Sequence, residues 1–171
     1  MKHIVFLRGI NVGGRVVKMA DLKVGLESIG LQNVKTVLQS GNVVFESDQN
    51  ADELKRTIEE VLTRTFNYPA KVQVFTLEQI ESVIKDYPFD RNNTDYQHYV
   101  IFMESTKERE LEAEATFDEK VEQIKSGTNC IYWTVPKGMT LKSEFSKYLT
   151  KPAYKEFNTV RNINTLEKVI R

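Results

Sequence analysis

The chain has 171 residues, enough for one large domain or two small ones, and its 40% apolar and 28% charged residues suit a protein with a real core. Equal numbers of cations and anions, 24 of each, argue against a nucleic-acid binder that works through its whole surface. No apolar run approaches the ~20 residues that span a bilayer, the N-terminus lacks the pattern of a secretory signal, and one cysteine, Cys130, excludes an intrachain disulfide. A cytoplasmic protein is the expectation, with no membrane partner.

In chain order, His3 to Leu7 is apolar after its first residue, as in a strand covered on both faces. Arg8 to Lys18 follows, with three glycines, three cations and no acid in eleven residues. Met19, Leu22, Leu26 and Ile29 then recur at helical spacing, and Gly30 supplies the stop. Val34–Leu38 and Val43–Phe45 flank Gln39-Ser40-Gly41-Asn42, which reads as a hairpin with glycine in its turn. Asp48 or Asn50 caps a helix carrying Leu54, Ile58, Val61 and Leu62 on its inner face, and Lys71–Phe75 is the next strand. The order is β-α-β-β-α-β, the ferredoxin-like arrangement. Thr76 with Gln79 forms a capping box for a short helix behind it.

Residues 90–95 are polar and read as a linker. A second cycle follows: a strand over Tyr96–Met103, a helix over Thr106–Phe117, and a hairpin from Val121–Lys125 and Cys130–Val135. Helices over Leu141–Leu149 and Asn164–Ile170 complete it. The fold class is therefore α+β, with two ferredoxin-like halves in tandem over residues 1–89 and 96–171. Each half is an antiparallel sheet with helices packed on one face. The second half shows no clear fourth strand, so its sheet has an open edge that a second copy of the chain could cover.

Charge is uneven along this frame. Glu104 to Glu122 holds eight acids against three cations, and Lys137 to Arg171 holds eight cations against three acids. Both runs read as solvated helix faces.

The functional reading centres on Arg8–Lys18. A strand, a glycine loop and a helix present backbone N–H groups at a helix N-terminus, an arrangement that favours an anion. The spacing matches neither the dinucleotide fingerprint nor the P-loop, so no nucleotide cofactor is expected. The equivalent crossover of the second half, Met103-Glu104-Ser105-Thr106, has no glycine and carries an acid, so the fold itself does not require such a loop. In β-α-β-β-α-β topology this loop shares one end of the sheet with Gln39–Asn42 and Lys71. The candidate ligand-binding residues are Arg8, Asn11, Gly13, Gly14, Arg15, Lys18, Gln39, Ser40 and Asn42, joined by Arg161 and Asn162 if the C-terminal segment folds back over that rim. The expected ligand is a small phosphate- or carboxylate-bearing molecule. Arg8, at the strand end, has a structural ion pair as its alternative role, and Arg161-Asn162 a helix cap with a salt bridge.

Leu7-Arg8-Gly9-Ile10-Asn11-Val12-Gly13-Gly14, Met19, Leu38-Gln39-Ser40-Gly41-Asn42-Val43-Val44-Phe45 and Thr159-Val160-Arg161-Asn162 with Thr165 resemble a bacterial family catalogued as domain of unknown function 1697. Ser143, following Pro136-Lys137-Gly138, fits the same pattern, whereas Ile163 departs from it where the family often has an aromatic residue. The resemblance implies a two-part ferredoxin-like fold in a bacterial cytosolic protein and implies no activity.

Catalytic groups are sparse. His3 and His98 lie in strand segments, Cys130 leads an apolar strand, and Ser40-Gly41 lacks a nucleophile elbow. No spacing offers a metal site, and no reaction is assigned. Two rival readings remain: weak RNA binding through phosphates, since the same strand order builds the RNA-recognition module, and a structural module acting as a homodimer. The aromatic run of that RNA module is absent from Ser40–Phe45.

Overall fold

The computed structural model describes residues 1–11 and 13–171; Val12, read above as part of the glycine loop, lies outside the described residues. The chain divides into two compact units, Met1–Glu81 with Lys168–Arg171, and Ser82–Glu167.

The first unit contains β1 (Lys2–Arg8), α1 (Met19–Glu27), β2 (Gln32–Val37), β3 (Asn42–Glu46), α2 (Ala51–Phe66) and β4 (Lys71–Thr76). Its strands lie in the order β2-β3-β1-β4, with every pair antiparallel. Ile4, Val5 and Phe6 are wholly buried, so both faces of the central strand are covered, as an unbroken apolar run requires. Val5 and Leu7 pack with Leu22 and Leu26 of α1 and with Leu54, Ile58 and Leu62 of α2. Asn50 caps α2, its side-chain oxygen accepting from the Glu53 amide at 3.0 Å. Thr76 and Gln79 close a reciprocal box at 2.8 and 3.2 Å, which starts α3 (Leu77–Lys85).

After α3 come β5 (Tyr96–Met103), α4 (Ser105–Glu114), β6 (Gln123–Gly127), β7 (Cys130–Pro136), α5 (Glu144–Leu149), α6 (Pro152–Lys155), β8 (Asn158–Asn162) and α7 (Ile163–Val169). The second sheet repeats the first, in the order β6-β7-β5-β8. The expectation of a missing fourth strand is corrected here: Asn158–Asn162 fills that place, pairing Thr159 with Phe102 and Arg161 with Val100. The segment escaped sequence reading because it is a short polar edge strand in which only Thr159 is buried. Its place in the sheet comes from the backbone ladder, and the edge that argued for a dimer is occupied.

The acidic run is not wholly solvated either. Glu108 on α4 and Glu122 before β6 are buried, at 7% and 1% exposure. Burial, aided by the neighbouring Glu112 carboxylate and opposed by Arg109, pushes the Glu108 carboxyl up to about 7. The folded chain then holds a proton that the unfolded chain has lost, so stability falls as pH rises from 4.5 to about 7 and stays reduced above it. Glu108→Gln is expected to flatten that slope and to raise stability at pH 8 by about 1–2 kcal/mol. Urea unfolding of both proteins across pH 4.5–8 checks this; equal slopes would contradict it.

Candidate functional site

The loop between β1 and α1 sits at the end of the first sheet where the β2–β3 turn and the start of β4 also lie. β1 ends with Arg8 opposite Lys71 of β4, and the Leu7 amide donates to the Gly41 carbonyl at 2.8 Å. Asn11 ties the loop to the turn: its side-chain nitrogen donates to the Gln39 carbonyl at 3.0 Å, and its oxygen accepts from the Val17 amide at 3.3 Å. Asn42 is wholly buried, and its side chain donates to the Val37 carbonyl at 3.0 Å and to Ser40 Oγ at 2.8 Å. Asn11 thus braces the loop against the turn, and Asn42 with Ser40 braces the turn from within.

The loop glycines are there for backbone shape. Gly9, Gly13 and Gly14 all adopt positive φ, at 63°, 62° and 79°, where other residues are strained. A Cβ on Gly13 or Gly14 would meet no atom within 4 Å, so the space above this backbone is open.

Arg15 reaches back across the loop. Its Nη1 donates to the Gly9 carbonyl at 3.3 Å, and its guanidinium lies 4.4 Å from the centre of the Tyr68 ring. No carboxylate pairs with Arg15 or Lys18 among the described residues. Lys71 has Glu59 at 3.9 Å, and Glu59 also accepts from the Val72 amide at 3.0 Å. The helix behind the loop starts without a side-chain cap: Lys18, at the N-cap, makes no capping bond. Asp21 places one acid in that first turn.

Tyr68 is the residue that sequence reasoning missed. It is 5% exposed, its hydroxyl is buried without a hydrogen bond, and burial raises its pKa while Arg15 opposes the rise. The signal was its position just before Pro69, in the short segment that leads into β4 at the same rim. Arg161 and Asn162 belong to the second unit, on β8. Asn162 Oδ1 accepts from the Asn164 amide at 2.9 Å, the capping role named as its alternative, and Arg161 Nη1 donates to the Val160 carbonyl at 3.0 Å.

The aromatic residues that an RNA-recognition surface would need are enclosed. Phe6 and Phe45 are 0% exposed, leaving no face on which a base could stack. Cys130 is wholly buried and its thiol is pushed up to about 12 by desolvation, which removes it as a nucleophile. No cluster of three or more metal-ligating side chains occurs among the described residues, nor is any described helix long and apolar enough to cross a membrane.

Comparison with known proteins agrees with this architecture. The model of a family described as protein of unknown function (DUF1697) matches residues 1–132. The solved structure of a conserved bacterial protein, SP0830 of Streptococcus pneumoniae, is similar at 25% identity with a TM-score of 0.80, over 99% of this chain and 96% of that one. A search of the curated proteins gives no match.

Proposed function

This chain belongs to the DUF1697 family, whose description assigns no activity, and from the geometry of its glycine-rich rim we propose that it binds a small phosphate- or carboxylate-bearing ligand there. One observation carries the reading. The same crossover takes a single residue, Glu104, between β5 and α4, but residues 9–18 between β1 and α1. The ferredoxin-like topology does not need this insertion, and the insertion holds two cations without acid partners among the described residues, together with an open glycine backbone.

In this reading Arg15 and Lys18 supply the charge, and the amides of Gly13 and Gly14 with the first turn of α1 supply directed donors. Gln39, whose exposed side chain makes no hydrogen bond among the described residues, reads the polar body of the ligand. Each charge-assisted hydrogen bond is worth ~1.5–3 kcal/mol and the helix terminus ~0.3–1 kcal/mol. Affinities between millimolar and micromolar follow. Arg161 and Asn162 are not required.

Calorimetric titration with pyrophosphate and with citrate tests this. Arg15→Ala is expected to weaken whichever anion binds by about tenfold or more, with Arg15→Lys intermediate because a point charge replaces a planar fork. Equal affinity of wild type and Arg15→Ala would end the proposal. A fall in affinity for single-stranded RNA between low and moderate salt, without any response to the small anions, would favour phosphate-driven RNA binding instead.

A further inference from the structure

Each sheet has two edge strands, and three of the four carry a device that blunts the edge. β2 is interrupted by a register shift between Gln32 and Lys35, where Asn33 adopts φ 52°. On β4 the Val72 amide is taken by Glu59 Oε1 at 3.0 Å, and on β8 the Val160 carbonyl is taken by Arg161 Nη1 at 3.0 Å. β6 pairs with β7 alone, in unbroken register from Gln123 opposite Thr134 to Gly127 opposite Cys130.

That register fixes which backbone groups of β6 lack a strand partner. Thr128-Asn129 is the turn, so Gly127 and Cys130 close the hairpin as a hydrogen-bonded pair. Alternation makes Lys125 and Gln123 the next bonded residues and turns the N–H and C=O groups of Ile124 and Ser126 off the edge. No hydrogen-bond partner meets these groups among the described residues.

A second observation falls at the same place. A cavity of about 240 Å³ is lined by Gln123, Ile124 and Lys125 together with Phe89, Phe117 and Glu119. Consecutive strand residues point to opposite faces, so three in a row line one cavity only where it runs along an open edge. Ile124 and Phe117 pack against the cluster that holds Trp133 and Phe145, and Gln123 and Lys125 project from the other face of the strand. Glu119 and Lys125 are exposed, and neither has an ion-pair partner among the described residues. A neighbouring cavity of about 370 Å³ shares Phe89, Glu119 and Gln123 but not Lys125, which sets Glu119 toward the Gln123 end. The edge therefore offers unpaired backbone groups, an apolar slot with two aromatic rings, a cation at one end and an anion at the other.

We infer that the open edge of β6 is a docking site for an extended peptide segment of a partner protein, added to the second sheet as a fifth, antiparallel strand. In an antiparallel ladder the peptide residue opposite Ile124 exchanges both backbone hydrogen bonds with it and lays its side chain on the same face, beside Phe117. That residue is apolar. The residue before it lies opposite Lys125 and is acidic; the residue after it lies opposite Gln123, toward Glu119, and is basic. A second copy of this chain is a poorer occupant. The apolar side chain of its β6, Ile124, is packed into its own core, and pairing centred on Lys125 sets two lysines opposite each other.

The experiment is an amide-resolved NMR titration of the full chain with the capped peptide Thr-Glu-Val-Arg-Thr, with amide hydrogen exchange measured before and after. In the protein alone, the Ile124 and Ser126 amides are expected to exchange rapidly and the Lys125 amide slowly. Saturable shifts at residues 123–126 and Phe89, with slowed exchange at Ile124 and Ser126, are expected on binding. N-methylation of the peptide valine keeps its side chain and removes the donor to the Ile124 carbonyl, so binding should weaken about tenfold. The reversed order, Thr-Arg-Val-Glu-Thr, and the Glu119→Lys protein should each bind about fivefold more weakly. Glu119 makes no hydrogen bond among the described residues, so that variant keeps its fold. Absence of saturable shifts, unchanged affinity of the N-methylated peptide, or equal or tighter binding of the reversed order would overturn the inference. Protection of the Ile124 and Ser126 amides that rises with protein concentration, together with a doubled mass by light scattering, would also overturn it and assign the edge to a second copy.

Discussion

Glu122→Ala is expected to destabilise the protein by about 2–5 kcal/mol, the largest effect of any single carboxylate substitution proposed here. The Glu122 side chain is 1% exposed and links two elements of the second unit. Oε2 accepts from Trp133 Nε1 at 2.9 Å, and Oε1 accepts from the Phe145 amide at 3.0 Å. Truncation leaves both donors buried and unsatisfied, each at a cost of about 1–3 kcal/mol. It also opens space beside rings that pack at 5.6 Å, Trp133 on Phe145. Glu122→Gln keeps one acceptor and sets an amide N–H against a donor, so a smaller loss of about 1–3 kcal/mol is expected. Trp133 is the only tryptophan, so its fluorescence reports urea unfolding at the site itself. A loss below about 1 kcal/mol for the alanine variant would mean that the two hydrogen bonds do not hold α5 to the sheet.

Gly41→Ala is expected to cost about 2–4 kcal/mol and to disturb the candidate ligand rim with it. Gly41 adopts φ 75°, and a Cβ placed there would stand 2.7 Å from Ile10 Cδ1 and 3.0 Å from Leu7 Cβ. The Ile10 methyl can rotate aside, but Leu7 Cβ is fixed by the strand. Relief of the clash therefore moves the turn, and with it the Leu7-to-Gly41 backbone bond and the Gln39 carbonyl that Asn11 holds. Urea unfolding measures the stability loss, and anion titration of the folded fraction measures the rim. Gly14→Ala provides the contrast. It has positive φ but open space around the missing Cβ, so only the strain of about 1–2 kcal/mol applies. Equal losses at positions 14 and 41 would show that packing against Leu7 and Ile10 does not matter.

Most of the frame was legible because it rests on periodicity. The apolar run at His3–Leu7, the spacing of Leu54, Ile58, Val61 and Leu62, and the Thr76–Gln79 box each have one favourable structural solution. Topology then brought Arg8–Lys18 beside Gln39–Asn42 from strand order alone. What stayed hidden depends on contacts that no local pattern encodes. Asn158–Asn162 lacks an apolar face and is a strand because β5 offers it a ladder. Glu122 reads as one more acid in a charged run until Trp133 and Phe145 supply its donors. Leu141 looks like the first apolar residue of a helix, yet it is 90% exposed, and the helix starts at Glu144, after Ser143, whose Oγ accepts from the Ser146 amide at 3.1 Å. At the rim, Asn11 and Asn42 were recognised as belonging together, but their hydrogen bonds make Asn11 a support of the loop and Asn42 a support of the β2–β3 turn. That leaves Arg15, Lys18 and the glycine amides as the groups proposed to hold the ligand.

The central claim is that the residues between β1 and α1 form an anion site. An amide-resolved NMR titration with pyrophosphate at low ionic strength tests it most directly. Saturable shifts concentrated at Gly13, Gly14, Arg15 and the first turn of α1 are expected, lost in Arg15→Ala while the rest of the spectrum keeps its dispersion. Shifts spread over the surface lysines without saturation, or saturable shifts that leave Gly13 and Gly14 unmoved, would contradict it.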